Sequence, residues 1–305
     1  MSSAERAASL LLEIEPEEFR VLHALELGMA KFSFVPLDEL VKYSGLDLGE
    51  VKFRLRELDR KDLLYRQPAP YMGYILNYTG YDCLALNALA KADVLNSLGK
   101  SLGVGKEADI FEAITDEGEK VAVKFHRLGR TSFRDTRKKR SYIAQRGRVS
   151  WHYQSRIAAE KEFDAMRRVH EAKVSVPEPI HQNRHVVVMG YIDGYNLIDV
   201  AVLDDPDGFL DDILENVRRT YDAGIIHCDL SSYNIVVQKN GVVLLIDWPQ
   251  AEPIDHPNAE DLLMRDLRNV LDYFKRKFGV ERSLQETAAF VKGRSWPPSL
   301  QEDHE

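Results

Sequence analysis

The chain has 305 residues, 44% of them hydrophobic and 30% charged, which suits one or two globular domains large enough to bury a core. No run approaches the roughly eighteen apolar residues of a membrane span, acids interrupt the apolar N-terminus, and two cysteines are too few for a disulfide framework or thiolate zinc site, so a reduced, cytoplasmic setting is expected. The net charge of −8 argues against a generic nucleic-acid binder, although Arg127–Arg148 holds nine Lys or Arg and one acid, leaving −16 for the remainder.

Residues 16–90 read as a helical module closed by a hairpin. Phe19, Leu22, Leu25 and Met29 recur at helical spacing over Glu17–Ala30. A second helix is expected over Val35–Tyr43, with Pro36 in its first turn. A third is expected over Leu46–Lys61, where Asp47 and Glu50 have capping-box spacing and Leu48, Val51, Leu55 and Leu58 are apolar. Strand-like runs Leu63–Arg66 and Gly73–Tyr78 flank the turn-rich Gln67-Pro68-Ala69-Pro70, and a fourth helix follows over Tyr81–Ala90 with Thr79 as its cap. Three helices and a hairpin are the order of a winged helix-turn-helix. Its third helix sets Lys52, Arg54, Arg56, Arg60 and Lys61 against Glu50, Glu57 and Asp59. That mixture fits a nucleic-acid surface, a protein-docking surface or a solvated face.

Farther along, short β-branched runs (Asp109–Ala113, Lys120–Phe125, His185–Gly190, Ile235–Gln238, Val242–Ile246) surround helical stretches over Arg156–Ala172 and Asp207–Ala223. Strands crowd the first half and helices the second, the order of a two-lobed kinase. The expected division is a winged helix over 1–84, a connecting helix over 85–92, a catalytic domain over 93–285 and a tail over 286–305. Disorder is expected in that tail, above all in RSWPPSLQEDHE after Gly293.

The most specific chemistry lies in His227-Cys228-Asp229-Leu230-Ser231-Ser232-Tyr233-Asn234. An Asp and an Asn five residues apart reach one metal–phosphate site from a single loop. Asp229 can take the proton of an attacking hydroxyl or orient a water, and the Asn234 side-chain oxygen can hold a Mg²⁺ ion. Asp247 follows the apolar strand Val242–Ile246 and is placed to bind a further metal bridging the phosphates. Lys124 ends the alternating run Val121-Ala122-Val123 about a hundred residues upstream, as a lysine gripping α- and β-phosphates would. A buried lysine needs a carboxylate; Glu162 is the first choice and Glu160 its rival.

Upstream, Gly103, Val104, Gly105, Lys106 and Glu107 form a glycine-paired stretch whose backbone N–H groups can approach phosphate oxygens. It is not a Walker loop, since Glu107 follows Lys106, and Ala108 stands where the ordinary kinase loop has its third glycine. Val186–Met189 runs into Gly190-Tyr191-Ile192-Asp193-Gly194, a hinge-like link at which adenine would meet the Gly190 carbonyl and the Ile192 N–H beside Met189.

Together GVGKEADIF, VAVKFHRLGRTSFR, HCDLSSYNIVV and LIDWPQA resemble the RIO family of atypical protein kinases, in the branch that carries an N-terminal winged helix. The resemblance implies an α+β fold, a winged helix-turn-helix plus a minimal two-lobed protein-kinase-like domain. It implies ATP with Mg²⁺ (or Mn²⁺), serine autophosphorylation and a role in small ribosomal subunit maturation, and it allows an ATPase that phosphorylates Asp247. The partners expected are the pre-small ribosomal subunit, its rRNA and ribosomal or assembly proteins, with no membrane and no DNA, and a monomer when free. A nucleotide-dependent assembly switch with little kinase activity in trans is the alternative. Cys228 replaces the usual Arg before Asp229, Trp248-Pro249 follows Asp247, and the chain after Asp247 is too short for an activation loop plus a peptide platform. The basic segment Arg127–Arg148, with Thr131, Ser132 and Thr136, suits a loop binding RNA phosphate or an acidic partner.

Overall fold

At the N-terminus the Ser2 hydroxyl accepts from the Glu5 N–H (3.2 Å) and the Glu5 carboxylate accepts from the Ser2 N–H (2.6 Å). This capping box starts α1 (Ser3–Leu10), a helix the sequence reading did not mark. The computed structural model describes residues 1–128 and 151–293, which form two units. Residues 1–157 with 182–187 make the first, and 158–181 with the chain from 188 onward make the second.

In the first unit, α2 (Pro16–Gly28), α3 (Leu37–Ser44) and α4 (Leu48–Arg60) pack Val21, Leu22, Leu25, Leu40, Val51, Leu55 and Leu58 into a common core. Asp47 caps α4 as expected, accepting from the Gly49 and Glu50 N–H groups. Glu50 does not complete a box; its carboxylate accepts from Arg54 Nε at 2.7 Å. The helix expected from Val35 begins only at Leu37, because Val35–Pro36 forms a strand, β1, paired with Tyr74 and Gly73. β1 joins β2 (Leu64–Gln67) and β3 (Gly73–Leu76) in a sheet of order β1-β3-β2, the expected hairpin with one further strand.

The next helix, α5 (Tyr78–Lys91), is capped by Asn77, whose side-chain oxygen accepts from the Gly80 N–H at 2.9 Å. Thr79, the expected cap, lies inside it, and α5 runs unbroken through residue 84. α5 packs on α1 and is buried over most of its length. Beyond it come β4 (Ser97–Val104), β5 (Ala108–Ile114) and β6 (Lys120–His126). β7 (Pro179–Asn183) and β8 (Val186–Gly190) complete a sheet of order β4-β5-β6-β8-β7, the first unit taking their 182–187 portion. Residues 151–157, the start of α6 (Trp151–Glu171), also belong to the first unit.

In the second unit the rest of α6 packs with α7 (Pro206–Asp222), α8 (Ala259–Phe278) and α9 (Leu284–Val291) around one hydrophobic core. Trp248 is fully buried there, among Leu214, Leu230, Ile235, Leu267 and Phe274. β9 (Gly194–Asn196), β11 (Ile235–Gln238) and β12 (Val243–Leu245) form a sheet of order β12-β11-β9, and β10 (Ile225–Ile226) pairs with β13 (Glu252–Pro253). Only glycine fits at 194, since a Cβ would stand 2.5 Å from the Val237 carbonyl oxygen. The tail expected from residue 286 is helical as far as Val291, and Phe290 and Val291 bury into the core, so that part is structured. The stretch RSWPPSLQEDHE and most of the basic segment lie outside the described residues. Arg127, counted with that segment as a surface cation, is instead fully buried.

Candidate active site

The hairpin β11–β12 assembles the acidic half of the site. Ile235 pairs with Leu245, and one step beyond it the Ile246 N–H donates to the Asn234 carbonyl at 3.0 Å. This register sets Asn234 opposite Ile246 and puts Asp247 next in the chain. Asn234 Nδ2 donates to the Asp229 carbonyl (2.8 Å) and to Asp229 Oδ2 (3.2 Å), so three of the expected residues are brought together. Asp229 is exposed and Asn234 is buried, 9% accessible.

The backbone here is unusual. Cys228 (φ +64°) and Asp247 (φ +71°) both adopt left-handed conformations that side-chain-bearing residues rarely take, a kind of strain that clusters at functional sites. His227 helps hold it: Nε2 lies 2.9 Å from the Ile246 carbonyl, and Nδ1 accepts from the Asp229 N–H at 3.3 Å. That pairing is satisfied by a neutral ring with its proton on Nε2, and burial lowers the His227 pKa despite the Ile246 carbonyl and the Asp247 and Asp229 carboxylates, which raise it. The ring also rests against Trp248, 4.5 Å between centroids.

Three residues of α8 that the sequence reading missed complete the support. The Asp266 carboxylate accepts from the Cys228 N–H (2.7 Å) and the Leu230 N–H (3.2 Å), bracketing Asp229. Arg265 Nη2 donates to the Cys228 carbonyl and Asn269 Nδ2 to the Leu230 carbonyl. Burial pushes the Asp266 carboxyl up to about 6, against the two backbone N–H bonds that lower it. A signal was present: Leu263, Leu267, Val270 and Phe274 are a helical apolar stripe, and Asp266 lies within it. Cys228, where ordinary kinases carry Arg, is buried, and its thiol pKa rises to about 11, so it has little thiolate character.

The remaining expected residues divide between the units. In the first, β4 and β5 form a hairpin in which Gly103 faces Ile110 and Val104 faces Asp109, so Gly103 and Val104 are strand residues and the turn is Gly105-Lys106-Glu107. The Gly105 N–H donates to the Ala108 carbonyl at 2.8 Å, and a Cβ at 105 would crowd that oxygen at 3.1 Å. The turn is exposed and there is open space above Gly103, as close approach of a phosphate requires. Lys124 lies in β6 opposite Ile110 and is buried, 6% accessible. In the second unit Glu162 is buried, 1% accessible, while Glu160 is half-buried. At the hinge the Gly190 N–H donates to the Glu178 carbonyl at 2.8 Å, Met189 is half-buried, and the Ile192 N–H makes no hydrogen bond among the described residues.

This donor set fits a nucleotide-bound Mg²⁺. The Asn234 amide nitrogen is committed to Asp229, which leaves its oxygen as a candidate ligand, and Asp247 follows the residue that faces Asn234 in the hairpin. Among the described residues no cluster of three His, Cys, Asp or Glu side chains forms a closed cage. Mg²⁺ is ordinarily held by one or two protein oxygens plus phosphates and water, so an open pair is the appropriate arrangement.

Comparison with known proteins gives a consistent picture. Residues 109–287 match the family model described as RIO domain, and residues 11–92 match that described as Rio2, N-terminal. The RIO-type serine/threonine-protein kinase Rio2 of Methanocaldococcus jannaschii is 39% identical, over 81% of this chain and 92% of the relative. The serine/threonine-protein kinase rio2 of Schizosaccharomyces pombe is 36% identical, over 87% and 77% respectively. The crystal structure of the Rio2 kinase from Chaetomium thermophilum in an ADP/Mg²⁺-phosphoaspartate complex superposes with a TM-score of 0.81 at 32% identity, covering 95% of this chain and 90% of that one.

Proposed function

Since the chain belongs to the RIO family of atypical serine/threonine-protein kinases, we propose that it transfers the γ-phosphoryl group of ATP with Mg²⁺ as cofactor, in the service of small ribosomal subunit maturation. The observation that carries this reading is the Asp229–Asn234–Asp247 constellation, drawn together by the Asn234 amide and the β11–β12 register. Asn234 Oδ1 and Asp247 hold the ion, which neutralises charge on the phosphates. Lys124 takes the α- and β-phosphates, the turn Gly105–Glu107 offers backbone N–H groups, and the Gly190 carbonyl and Ile192 N–H take adenine. Asp229 accepts the proton of the attacking hydroxyl or orients the attacking water.

A second acceptor is supported by the phosphoaspartate of the Chaetomium enzyme. An Asp247 carboxylate oxygen would bond the γ-phosphorus as the bond to the β–γ bridging oxygen breaks, the electron pair leaving with ADP. Water would then cleave the acyl phosphate to inorganic phosphate and restore the carboxylate. Such a cycle suits an assembly switch, in which turnover drives release from a pre-ribosomal particle. ATP turnover with and without purified pre-small-subunit particles, tracking free phosphate and phosphoprotein separately, decides between the two. Accumulating phosphoserine on an added protein supports the kinase, particle-stimulated free phosphate supports the switch, and neither product refutes the proposal.

The winged helix docks on protein in this reading. Arg54 is half-buried and ion-paired to Glu15 (2.5 Å) and Glu50 (2.7 Å), Arg60 to Glu57 (2.5 Å) and Lys61 to Glu18 (2.6 Å). Of the cations on that helix, Lys52 and Arg56 stand exposed with no ion pair among the described residues. Two such cations make a weak phosphate footprint, so rRNA contact falls to the Arg127–Arg148 segment from Arg130 onward.

A further inference from the structure

We propose that Asp82 and Arg127 are positioning residues through which the winged-helix module sets the phosphate-binding hairpin, an inference that rests on the ATP reading above. Arg127 immediately follows β6, Asp82 lies on α5, Asp109 is the second residue of β5 just beyond the glycine turn, and all three side chains are fully buried. The guanidinium makes two parallel bonds to Asp82, Nη1 to Oδ1 at 2.6 Å and Nη2 to Oδ2 at 2.8 Å, and its Nε donates to Asp109 Oδ2 at 3.0 Å. The Arg127 backbone N–H donates to the Glu107 carbonyl at 2.6 Å, which fixes the far side of the turn. Within the turn the Gly105 N–H bonds the Ala108 carbonyl, and Ala108 faces His126 across the β5–β6 ladder.

The position of Arg127 therefore sets that of Glu107 and Asp109, and Asp82 sets Arg127. The guanidinium also lies over the Tyr78 and Phe125 rings, and His185 Nε2 is 2.7 Å from Asp82 Oδ1. A buried ion cluster is a poor source of net stability compared with apolar packing, but its directional bonds fix geometry, and loss of one partner strands a buried charge. Burial works against both charges, yet Arg127 holds the Asp82 carboxyl below its usual range and Asp82 raises the guanidinium above its own.

The test is calorimetric binding of ATP, ADP and adenosine to the full chain with Mg²⁺, alongside thermal melting. Asp82→Asn keeps the shape and removes the charge; Arg127→Lys keeps the charge but lacks the planar fork that makes the paired bonds to Asp82. Glu26→Gln is the control, because Glu26 takes paired 2.8 Å bonds from Arg184 elsewhere in the same unit and touches no hairpin residue. Loss of a charge-assisted bond of about 1.5 kcal/mol corresponds to roughly tenfold in affinity. Asp82→Asn and Arg127→Lys are expected to weaken ATP and ADP about tenfold and leave adenosine unchanged, whereas Glu26→Gln lowers the melting temperature and changes no affinity. If Asp82→Asn does not fold, Arg127→Lys carries the comparison. Equal weakening of adenosine and ATP, unchanged ATP affinity in the variants, or the same phosphate-selective loss in Glu26→Gln overturns the proposal. Wild-type protein that binds no nucleotide overturns the ATP reading itself.

Discussion

Asp266 separates stability from catalysis, and Asp266→Asn should show it. The wild-type carboxyl rises from an ordinary 3.8 to about 6, chiefly because burial disfavours its charge. At about 1.4 kcal/mol per pH unit, holding it ionised above pH 6 works against folding by roughly 3 kcal/mol. With the folded pKa above the unfolded one, the group's contribution to stability is full below about pH 4 and is lost as pH rises through about 6. Asparagine removes that pH dependence. It also replaces one of the two acceptors for the Cys228 and Leu230 N–H groups with an NH₂ group, a loss of ~1.5–3 kcal/mol. The two effects are similar in size near pH 7.5, so urea midpoints of variant and wild type should nearly coincide there, while at pH 4.5 the variant should be less stable by about 2 kcal/mol or more. Turnover should behave differently: Asp229 sits between the two N–H groups, and a loop loosened by 1.4 kcal/mol lowers kcat about tenfold with little change in nucleotide affinity. Parallel urea titrations of both proteins between pH 4.5 and 7.5, with kcat and KM for ATP, make the comparison. Identical pH slopes would refute the raised carboxyl, and an undiminished kcat would refute the claim that α8 holds the loop.

Three further outcomes follow from the same geometry. Asp229→Ala should retain Mg·ATP affinity and lose turnover by ~10²-fold or more, whereas Asp247→Ala should weaken Mg²⁺-dependent binding as well and abolish any hydroxylamine-sensitive phosphate; calorimetry plus phosphate release tests both. His152 and His185 are both held down to about 4 chiefly by burial, so the unfolded chain takes up protons first as pH falls from 6.5, and stability should drop between 6.5 and 4 by up to ~3 kcal/mol for each, an acid limb that His152→Phe should shallow in urea titrations. On structured rRNA, neutralising Lys52 and Arg56 should lower the log–log salt slope by at most roughly 0.7–0.9 each, and neutralising the already paired Arg54 and Arg60 should leave it unchanged; a larger fall on the paired set would overturn the assignment of that face to protein.

Elements fixed by local chemistry were legible in the sequence. Asp47 begins α4 because its carboxylate meets the first free N–H groups, and the alternation of Lys120–Phe125 is the β6 seen. Elements fixed by partners distant in the chain were not. Pro36 is compatible with a first helical turn, and only the Tyr74 and Gly73 backbone across the sheet makes Val35–Pro36 a strand. Ser97–Val104 is exposed, without clear alternation, and becomes β4 by pairing with β5 through two register shifts. Arg127 was legible only as one more cation in a basic run; Asp82 and Asp109, which bury it, are 45 and 18 residues away.

The candidate site shows the same division at finer scale. Asp229, Asn234 and Asp247 could be singled out because a phosphate–metal centre calls for those side chains at those spacings, and the fold draws the three together. The means of holding them was not recognisable, because a left-handed Cys228 or Asp247 breaks the local preference of its own residue type. Such conformations persist only where the surroundings over-determine them. Here Asp266, Arg265 and Asn269 bind the backbone on either side of Asp229, and His227 ties that loop to the Ile246 carbonyl just before Asp247. Each of those supports acts on peptide groups flanking Asp229 or Asp247 rather than on the two carboxylates. A substitution in α8 should therefore register in kcat before it registers in nucleotide affinity, whereas one in the Asp82–Arg127 cluster should do the reverse.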